Sequence, residues 1–406
     1  MVERVLKNQW IACLSCGLFS TSQALLFVLY PVLAEKLGLS ISEVILCFSV
    51  GSFLFLWGAP YWSLRSDREG RNRVLLKTQV GVLISLLALG FLLLPVSTNT
   101  QLNFIILLAS RILYGTLASG LVPVSQAHIL DHASEEQKAK AATTHSLFLN
   151  TGRFLGPLLA LSLTFITPLQ LVSALALAFI VLVAFQARSL SAYEPQVFTD
   201  RKIRLHHIWP ESRDKQGIAV LAFLTTVFLG ILQSSLGAYL HYAFAFTAVE
   251  SSQWMAKLLI VGAVSTVLIQ LLIRSKLKNP WQGTLPFGAG MLLFGLLVLL
   301  LWPTIISLYI AVVFMSFGVA TLTPAYMSAM SLLSGREQGK SAGVLSIAHT
   351  LGYAVGGGVS AMGLWISERG PFLFAVVVAL LIFATLPAIY TGRKSLSQTR
   401  DTQHAQ

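Results

Sequence analysis

Twelve runs of about 20 mostly apolar residues follow one another along the chain and constrain its fold more than any other feature. A helix of that length spans the hydrocarbon core of a bilayer. Charged residues make up 11% of the sequence, whereas a soluble domain contains about 25%. The pattern excludes one large soluble core and predicts an all-α integral membrane protein with twelve transmembrane helices. The predicted spans lie near 11–33, 44–64, 74–95, 103–126, 142–163, 168–188, 217–241, 253–273, 284–303, 305–327, 341–365 and 371–391.

The longest polar connection, residues 189–217, divides the twelve spans into two sets of six. We therefore predict two pseudo-symmetric six-helix bundles. The expected organisation is an N-terminal six-helix bundle at 1–190, a cytoplasmic linker at 191–216, a C-terminal six-helix bundle at 217–392 and a cytoplasmic tail at 393–406.

The placement of the basic residues predicts the orientation of the chain. With the N-terminus in the cytoplasm, 23 of the 28 lysines and arginines fall on the cytoplasmic side. The positive-inside rule then places both termini in the cytoplasm. We expect a multi-pass protein of the cell (inner) membrane. The net charge of +12 thus reflects topology, and we expect no nucleic-acid partner. Neither Cys13 with Cys16 nor His206-His207 has companion ligands, so we expect no metal and no cofactor.

Short stretches of the two halves resemble each other at an offset of 200 or 201 residues. The matching pairs are Pro123 with Pro324, Glu136-Gln137 with Glu337-Gln338, and Gly152-x-x-x-Gly156 with Gly352-x-x-x-Gly356. Span five therefore corresponds to span eleven. Repeats of this kind are typical of transporters whose binding site lies between the two halves, near the bilayer midplane.

The loop after span two carries the stretch Asp67-Arg68-x-Gly70-Arg71. Gly70 permits a tight turn, and Asp67 can form a strong charge-assisted bond with an arginine. The stretch resembles the loop 2–3 signature of the major facilitator superfamily, although Ser63 stands where that signature normally has a glycine. The resemblance implies that this loop acts as a latch that stabilises one conformation of the carrier.

Span four contains Arg111-Ile-Leu-Tyr114-Gly115, which resembles the R-x-x-x-G pattern of the same family, with Tyr114 where glutamine is common. Placing an arginine at the centre of a spanning helix costs about 2.5–3.5 kcal/mol on insertion scales. Such residues usually face a cavity. We favour an Arg111 that faces a cavity and binds substrate or couples transport; a structural arginine capped by backbone carbonyls is the alternative.

Span five contains Gly152-x-x-x-Gly156-Pro157. Small residues at this spacing let neighbouring helices pack closely, and a proline inside a helix produces a bend. The stretch resembles the span-five motif of antiporters and exporters in the superfamily, with Ala160 and Leu161 in place of its final glycines. The resemblance implies export rather than uptake.

Arg153 lies next to this motif, about 16 Å along span five and thus near the midplane. On a helical wheel it shares one side with His145 and Asn150, and we expect that side to face a cavity. None of the spans contains an aspartate or glutamate well inside it. Arg111 and Arg153 therefore lack a carboxylate within the spans. Because unpaired charge in a membrane is costly, we hypothesise that an anionic substrate compensates it.

Proton coupling requires a titratable group. His145 and His349 lie deep in related spans, and histidine titrates near neutral pH; Arg111 is the third candidate. Further polar and aromatic side chains are predicted to contact the substrate. The full predicted binding set is Arg111, Arg153, Asn150, Gln23, Tyr30, Gln233, Tyr239, Tyr326 and Tyr353.

The chain resembles a major facilitator superfamily transporter over nearly its whole length, in the drug- and metabolite-exporting branch. The resemblance implies a secondary active transporter rather than an enzyme, which exports a small molecule by alternating access, coupled to protons or another ion. We expect it to lie in the lipid bilayer and to work as a monomer. The specific hypothesis for the substrate is an anionic carboxylate metabolite or a siderophore. A multidrug efflux pump and an uptake symporter for an organic anion are the alternatives.

Overall fold

The computed structural model describes residues 2–94, 99–134, 137–188, 212–274, 284–334 and 338–403. The predicted linker up to residue 211, with His206 and His207, lies outside these ranges, as do Glu136 and Glu337 of the sequence repeat. Within the described ranges every regular element is helical.

The helices follow the apolar runs closely. Their bounds are α1 Val2–Val28, α2 Tyr30–Leu37, α3 Ile41–Glu69, α4 Arg71–Leu92, α5 Thr100–Leu117, α6 Leu121–Asp131, α7 Lys138–Ala160, α8 Pro168–Arg188, α9 Arg213–Ala243, α10 Ala248–Arg274, α11 Thr284–Leu301, α12 Ile305–Ser334, α13 Gln338–Ile366 and α14 Gly370–Gln403.

Eleven segments of the described chain are long and apolar enough to cross a membrane by length and composition. Helix α7, in the place of the predicted fifth span, is not among them. Its sequence contains His145, Asn150 and Arg153, which lower its hydropathy. The prediction of an all-helical membrane protein is confirmed, with α7 as the polar member of the set.

Two predicted spans are interrupted. The first is divided at Leu29 into α1 and α2, and Pro31 is the second residue of α2. The fourth is divided into α5 and α6 by a short 3-10 helix, Ala118–Gly120, which precedes Pro123. Proline lacks a backbone donor and clashes with the preceding turn, so both interruptions lie where a proline removes a helical hydrogen bond.

The chain forms two compact units. Unit 1 consists of Met1–Asp200 together with Leu236–Lys257. Within it, α7 packs along α1, α5 packs along α3 and α4, and α8 packs against α4.

Unit 2 consists of Arg201–Ser235 and Leu258–Gln406. In this unit α11 packs along α12 and α14, and α13 packs against α14. The end of α9 and the start of α10 thus group with unit 1. The proposed bundles at 1–190 and 217–392 and the tail at 393–406 stay predictions.

The paired glycines serve the same purpose in each unit. The side of α7 with Gly152 and Gly156 packs on the backbone of α1, and the side of α13 with Gly352 and Gly356 packs on the backbone of α9. The neighbours are Ala24 and Leu25 for Gly156, and Gly230 and Ile231 for Gly356. Both pairs of helices therefore meet where only a hydrogen atom fits, as expected for small-xxx-small packing.

Candidate functional site

The side chain of Arg111 is buried inside unit 1 and is only 1% exposed. Its Nη2 donates hydrogen bonds to Ser85 Oγ on α4 at 2.5 Å and to Ser110 Oγ at 3.0 Å. Among the described residues Arg111 has no carboxylate partner, and its Nε has no acceptor. The prediction that Arg111 faces an open cavity is therefore wrong, because helix packing encloses it.

Aromatic rings complete the surroundings of Arg111. Its guanidinium carbon lies 4.6 Å from the ring centre of Phe48 and 5.2 Å from that of Tyr114. Tyr30 packs on Phe48 with ring centres 4.8 Å apart. Ring faces attract a cation, and more strongly when both are desolvated. Two hydroxyls and two ring faces thus hold the charge in place of a carboxylate.

Arg153 has the opposite environment. It is exposed on α7, as is Asn150. Arg153 makes no hydrogen bond or ion pair with the residues that the structure describes. The reason is local geometry: Gly152 and Gly156 turn toward α1, and adjacent positions on a helix point about 100° apart. Of the two arginines predicted to bind substrate, only Arg153 has an exposed side chain.

His145 is buried between α1, α6 and α7, with 2% exposure. Its Nε2 lies 2.9 Å from Ser125 Oγ and 3.2 Å from Cys16 Sγ. Cys16 Sγ and Ser125 Oγ are themselves 2.7 Å apart. The prediction that His145 shares the exposed side of α7 with Arg153 is wrong, because the imidazole lies on the side of α7 that contacts α1 and α6.

His349 in unit 2 is paired with a tyrosine. Tyr326 Oη on α12 lies 2.8 Å from His349 Nε2 on α13. Tyr326 is 1% exposed, whereas His349 and Tyr353 are partly exposed. The structure thus brings together one proposed coupling residue and one proposed substrate contact.

The remaining predicted contacts divide by burial. Gln23 and Gln233 are partly exposed, so their amides are accessible. Tyr30 and Tyr239 are buried, at 2% and 0% exposure. A buried tyrosine supports neighbouring helices rather than offering a free surface to a ligand.

The loop between α3 and α4 forms an ion-pair network. Arg71 Nη1 lies 2.5 Å from Asp67 Oδ1, and Arg71 Nε lies 2.9 Å from Asp131 Oδ2 at the end of α6. Arg71 also donates to Ser66 Oγ at 2.5 Å. Gly70 between the helices has φ of +94°, which favours glycine. Arg71 therefore ties the loop to α6, whereas Arg68 is exposed.

Sequence reasoning missed the partners of these groups. Ser85, Ser125 and Asp131 come from helices distant in sequence, and no local pattern marks them. The sequence predicts neither a metal nor a partner for Cys16. Its C-x-x-C spacing from Cys13 is typical of a redox or metal pair, but the structure places its thiol against His145. Within the described ranges, no group of three or more His, Cys, Asp or Glu could hold a metal ion.

Comparison with known proteins identifies the family. The sequence profile of the Major Facilitator Superfamily matches residues 12–288. Multidrug resistance protein 2 of Bacillus subtilis (strain 168) is 23% identical over 93% of this chain and 92% of its own length. Multidrug resistance protein MdtG of Proteus mirabilis (strain HI4320) is 28% identical, but the match spans 38% of this chain and only 37% of the relative.

A solved structure has the same fold. The bacterial homolog of the human lysosomal transporter Spinster, in an inward-facing and unoccupied conformation, matches with a TM-score of 0.68 at 15% identity. The match covers 96% of this chain and 95% of that one. These similarities agree with the transporter resemblance of the loop 2–3, span-four and span-five stretches. The chain belongs to the Major Facilitator Superfamily and is a multi-pass membrane transporter, not an enzyme.

Proposed function

We propose that this transporter exports a small organic molecule from the cytoplasm by alternating access, and that Arg153 makes it favour anions. The observation that carries the proposal is the exposed guanidinium of Arg153, which has no partner among the described residues. An ionisable side chain within a membrane-spanning segment is costly, and residues of this kind usually mark a substrate or ion pathway. A carboxylate metabolite or a siderophore would provide the missing negative charge.

Two features support export. The Gly152, Gly156 and Pro157 stretch resembles the motif of exporters. In addition, the Bacillus subtilis relative that matches over nearly its whole length is named as a multidrug resistance protein. The positive-inside pattern supports cytoplasmic termini. Export is then movement from the cytoplasmic side, where the loop with Asp67 and Arg71 lies in this orientation, to the outside.

The proposed substrate contacts are those that remain accessible. Arg153 and Asn150 are exposed on α7, and Gln23, Gln233 and Tyr353 are partly exposed. The buried members of the predicted set do not contact substrate in this proposal but support the helices that carry these contacts. They are Arg111, Tyr30, Tyr239 and Tyr326.

Proton coupling is the proposed energy source, with His349 as the first candidate. It is partly exposed, so a proton can reach it. It also shares a hydrogen bond with Tyr326, so protonation of His349 changes an interaction between α12 and α13. His145 is the second candidate, although its contacts with Cys16 and Ser125 bury it. For His145 we therefore propose that a conformational change first opens this buried site to protons.

A multidrug efflux pump without charge preference is the second candidate function. It is favoured by the burial of Arg111, which leaves one accessible arginine instead of two. A pump of this kind moves lipophilic cations and neutral compounds, and substitution of Arg153 leaves their export unchanged.

The experiment compares efflux of two dyes of similar size from cells that express the protein. Carboxyfluorescein, loaded as its esterified precursor, is the anion, and rhodamine 6G is the cation. We expect faster loss of carboxyfluorescein than from cells without the protein, and we expect Arg153→Gln to abolish that difference. Lys257→Gln is the matched control, because Lys257 is also exposed but lies 4.1 Å from the ring centre of Trp254.

Three outcomes decide between the proposals. Selective efflux of the anion that depends on Arg153 supports the anion exporter. Efflux of rhodamine 6G that survives Arg153→Gln supports the multidrug pump. Accumulation of carboxyfluorescein from the medium contradicts export and supports an uptake symporter.

A further inference from the structure

An open groove lies on the outside of unit 1 where α3, α4 and α5 meet. We call it the α3–α4 groove, and its volume is about 430 Å³. Two cations, Arg65 and Lys77, line one end, and Trp62, Leu76, Val80 and Leu117 line the rest. The groove is distinct from the proposed substrate contacts, none of which lines it. A cationic end beside an apolar surface is complementary to an anionic amphiphile.

The cationic end has an excess of positive charge. Arg65 Nε and Lys77 Nζ both bind the carboxylate of Glu69. The side chains of Arg65 and Lys77 remain 40% and 45% exposed, respectively. Two cations therefore share one carboxylate, and both keep donors free for a further anion. Glu69 holds them on the same side of the groove.

The aromatic residues at this end of the groove are of the types found at the surface of a membrane. The guanidinium carbon of Arg65 lies 5.7 Å from the ring centre of Tyr61 and 5.8 Å from that of Trp62. Arg65 also donates a hydrogen bond to the Tyr61 hydroxyl. Tyrosine and tryptophan concentrate at membrane–water interfaces. By the predicted orientation this is the cytoplasmic interface, where anionic lipids are enriched.

The other end of the groove is apolar and continues along the helices. Trp62 donates its indole N–H to the Thr116 carbonyl at 2.7 Å, so its ring presents only apolar surface. Gly81 has no side chain and lets Leu117 of α5 come close to α4. One helical turn beyond Val80 and Leu117, Ile84 and Leu113 are exposed. This surface suits an acyl chain lying between α4 and α5.

We propose that the α3–α4 groove is a binding site for an anionic phospholipid. The phosphate lies between Arg65 and Lys77, and one acyl chain follows Val80 and Leu117 toward the centre of the bilayer. Basic pockets between transmembrane helices on the cytoplasmic side recognise anionic headgroups in this way. Because Glu69 and Tyr61 already position the two cations, the site is formed before the lipid binds.

The test is lipid binding to the purified full-length protein, measured by native mass spectrometry in detergent. The probes are phosphatidylglycerol, phosphatidylcholine of the same chain length, and glycerol 3-phosphate. We expect phosphatidylglycerol to bind at least fivefold more tightly than phosphatidylcholine, since the first adds one negative charge near two cations. Glycerol 3-phosphate, which lacks acyl chains, should compete only weakly.

Substitutions locate the site. Lys77→Gln should weaken phosphatidylglycerol binding about fivefold. The control is Arg73→Gln, because Arg73 is exposed one turn earlier on α4 but does not line the groove; it should change binding less than twofold. Val80→Trp fills the apolar length without a change of charge and should also weaken binding. If Val80→Trp fails to fold, Lys77→Gln and Arg73→Gln still decide the result.

The proposal fails if the two phospholipids bind equally, or if Lys77→Gln and Arg73→Gln weaken binding by the same factor. The second result would indicate a diffuse attraction to charge. Tight binding of glycerol 3-phosphate would indicate a site for free phosphates and would also overturn the lipid proposal.

Discussion

Substitution of Gly156 by alanine tests the contact between α7 and α1 that positions the exposed side of α7. A methyl group at this position would lie 2.5 Å from the backbone nitrogen of Leu25 and 2.6 Å from the Cβ of Ala24. Ordinary contact begins at 3.4 Å. The two helices must therefore separate by about 0.9 Å at this crossing. The atoms in the way belong to backbone and Cβ, so no side chain can rotate to make room.

The expected net effect is destabilisation. Overpacking of this kind costs about 1–3 kcal/mol. Alanine gains about 1 kcal/mol over glycine in helix propensity, which offsets part of that cost. We therefore expect Gly156→Ala to lower the free energy of unfolding by up to about 2 kcal/mol.

The assay is unfolding of the purified protein in detergent by increasing amounts of denaturant, followed by intrinsic fluorescence. Gly358→Ala on α13 is the matched control, because a methyl group there meets nothing within 4 Å. The control should be as stable as the unsubstituted protein or slightly more stable. Gly356→Ala should behave like Gly156→Ala, since a methyl group there would lie 2.8 Å from Gly230 Cα. Equal stability of Gly156→Ala and Gly358→Ala would refute the close packing.

Three further predictions follow from the site. Arg111→Met should retain or exceed the stability of the unsubstituted protein in the same unfolding assay, because it replaces a buried charge that has no carboxylate partner among the described residues by an apolar side chain of similar size; a large loss of stability would contradict this reasoning. His349→Gln and Tyr326→Phe should alter the pH profile of transport in the same way, because the two side chains share one hydrogen bond, and an unchanged profile in both would remove the pair from coupling. Asp131→Asn should lower the transport rate while the protein still reaches the membrane, because Arg71 loses one of its two carboxylates; Asp214→Asn, on α9, is the control and should transport normally.

The spans were predictable because a membrane helix must satisfy its backbone internally and be apolar over a fixed length. The buried faces of Gly152 and Gly156 were also predictable, since small residues four apart mark close helix packing. The divisions of the first and fourth spans were not predicted, because hydropathy averages over the prolines that cause them.

The environment of each arginine could not be obtained from its own helix. A helical wheel shows which residues share a side, but it does not show what packs against that side. The burial of Arg111 depends on Ser85 of α4 and Phe48 of α3. The burial of His145 depends on Cys16 and Ser125 in the same way. For Arg153, the neighbouring glycines of α7 indicate only which side of the helix faces α1, not what lies on the other side.

The most direct test of the account is transport by the purified protein in liposomes across an imposed pH gradient. Carboxyfluorescein and rhodamine 6G are supplied in parallel to the unsubstituted protein and to Arg153→Gln. The account predicts gradient-dependent movement of the carboxylate dye, its loss in Arg153→Gln, and little movement of the cation. Movement of the cationic dye at the same rate in both proteins, with the carboxylate ignored, would contradict it.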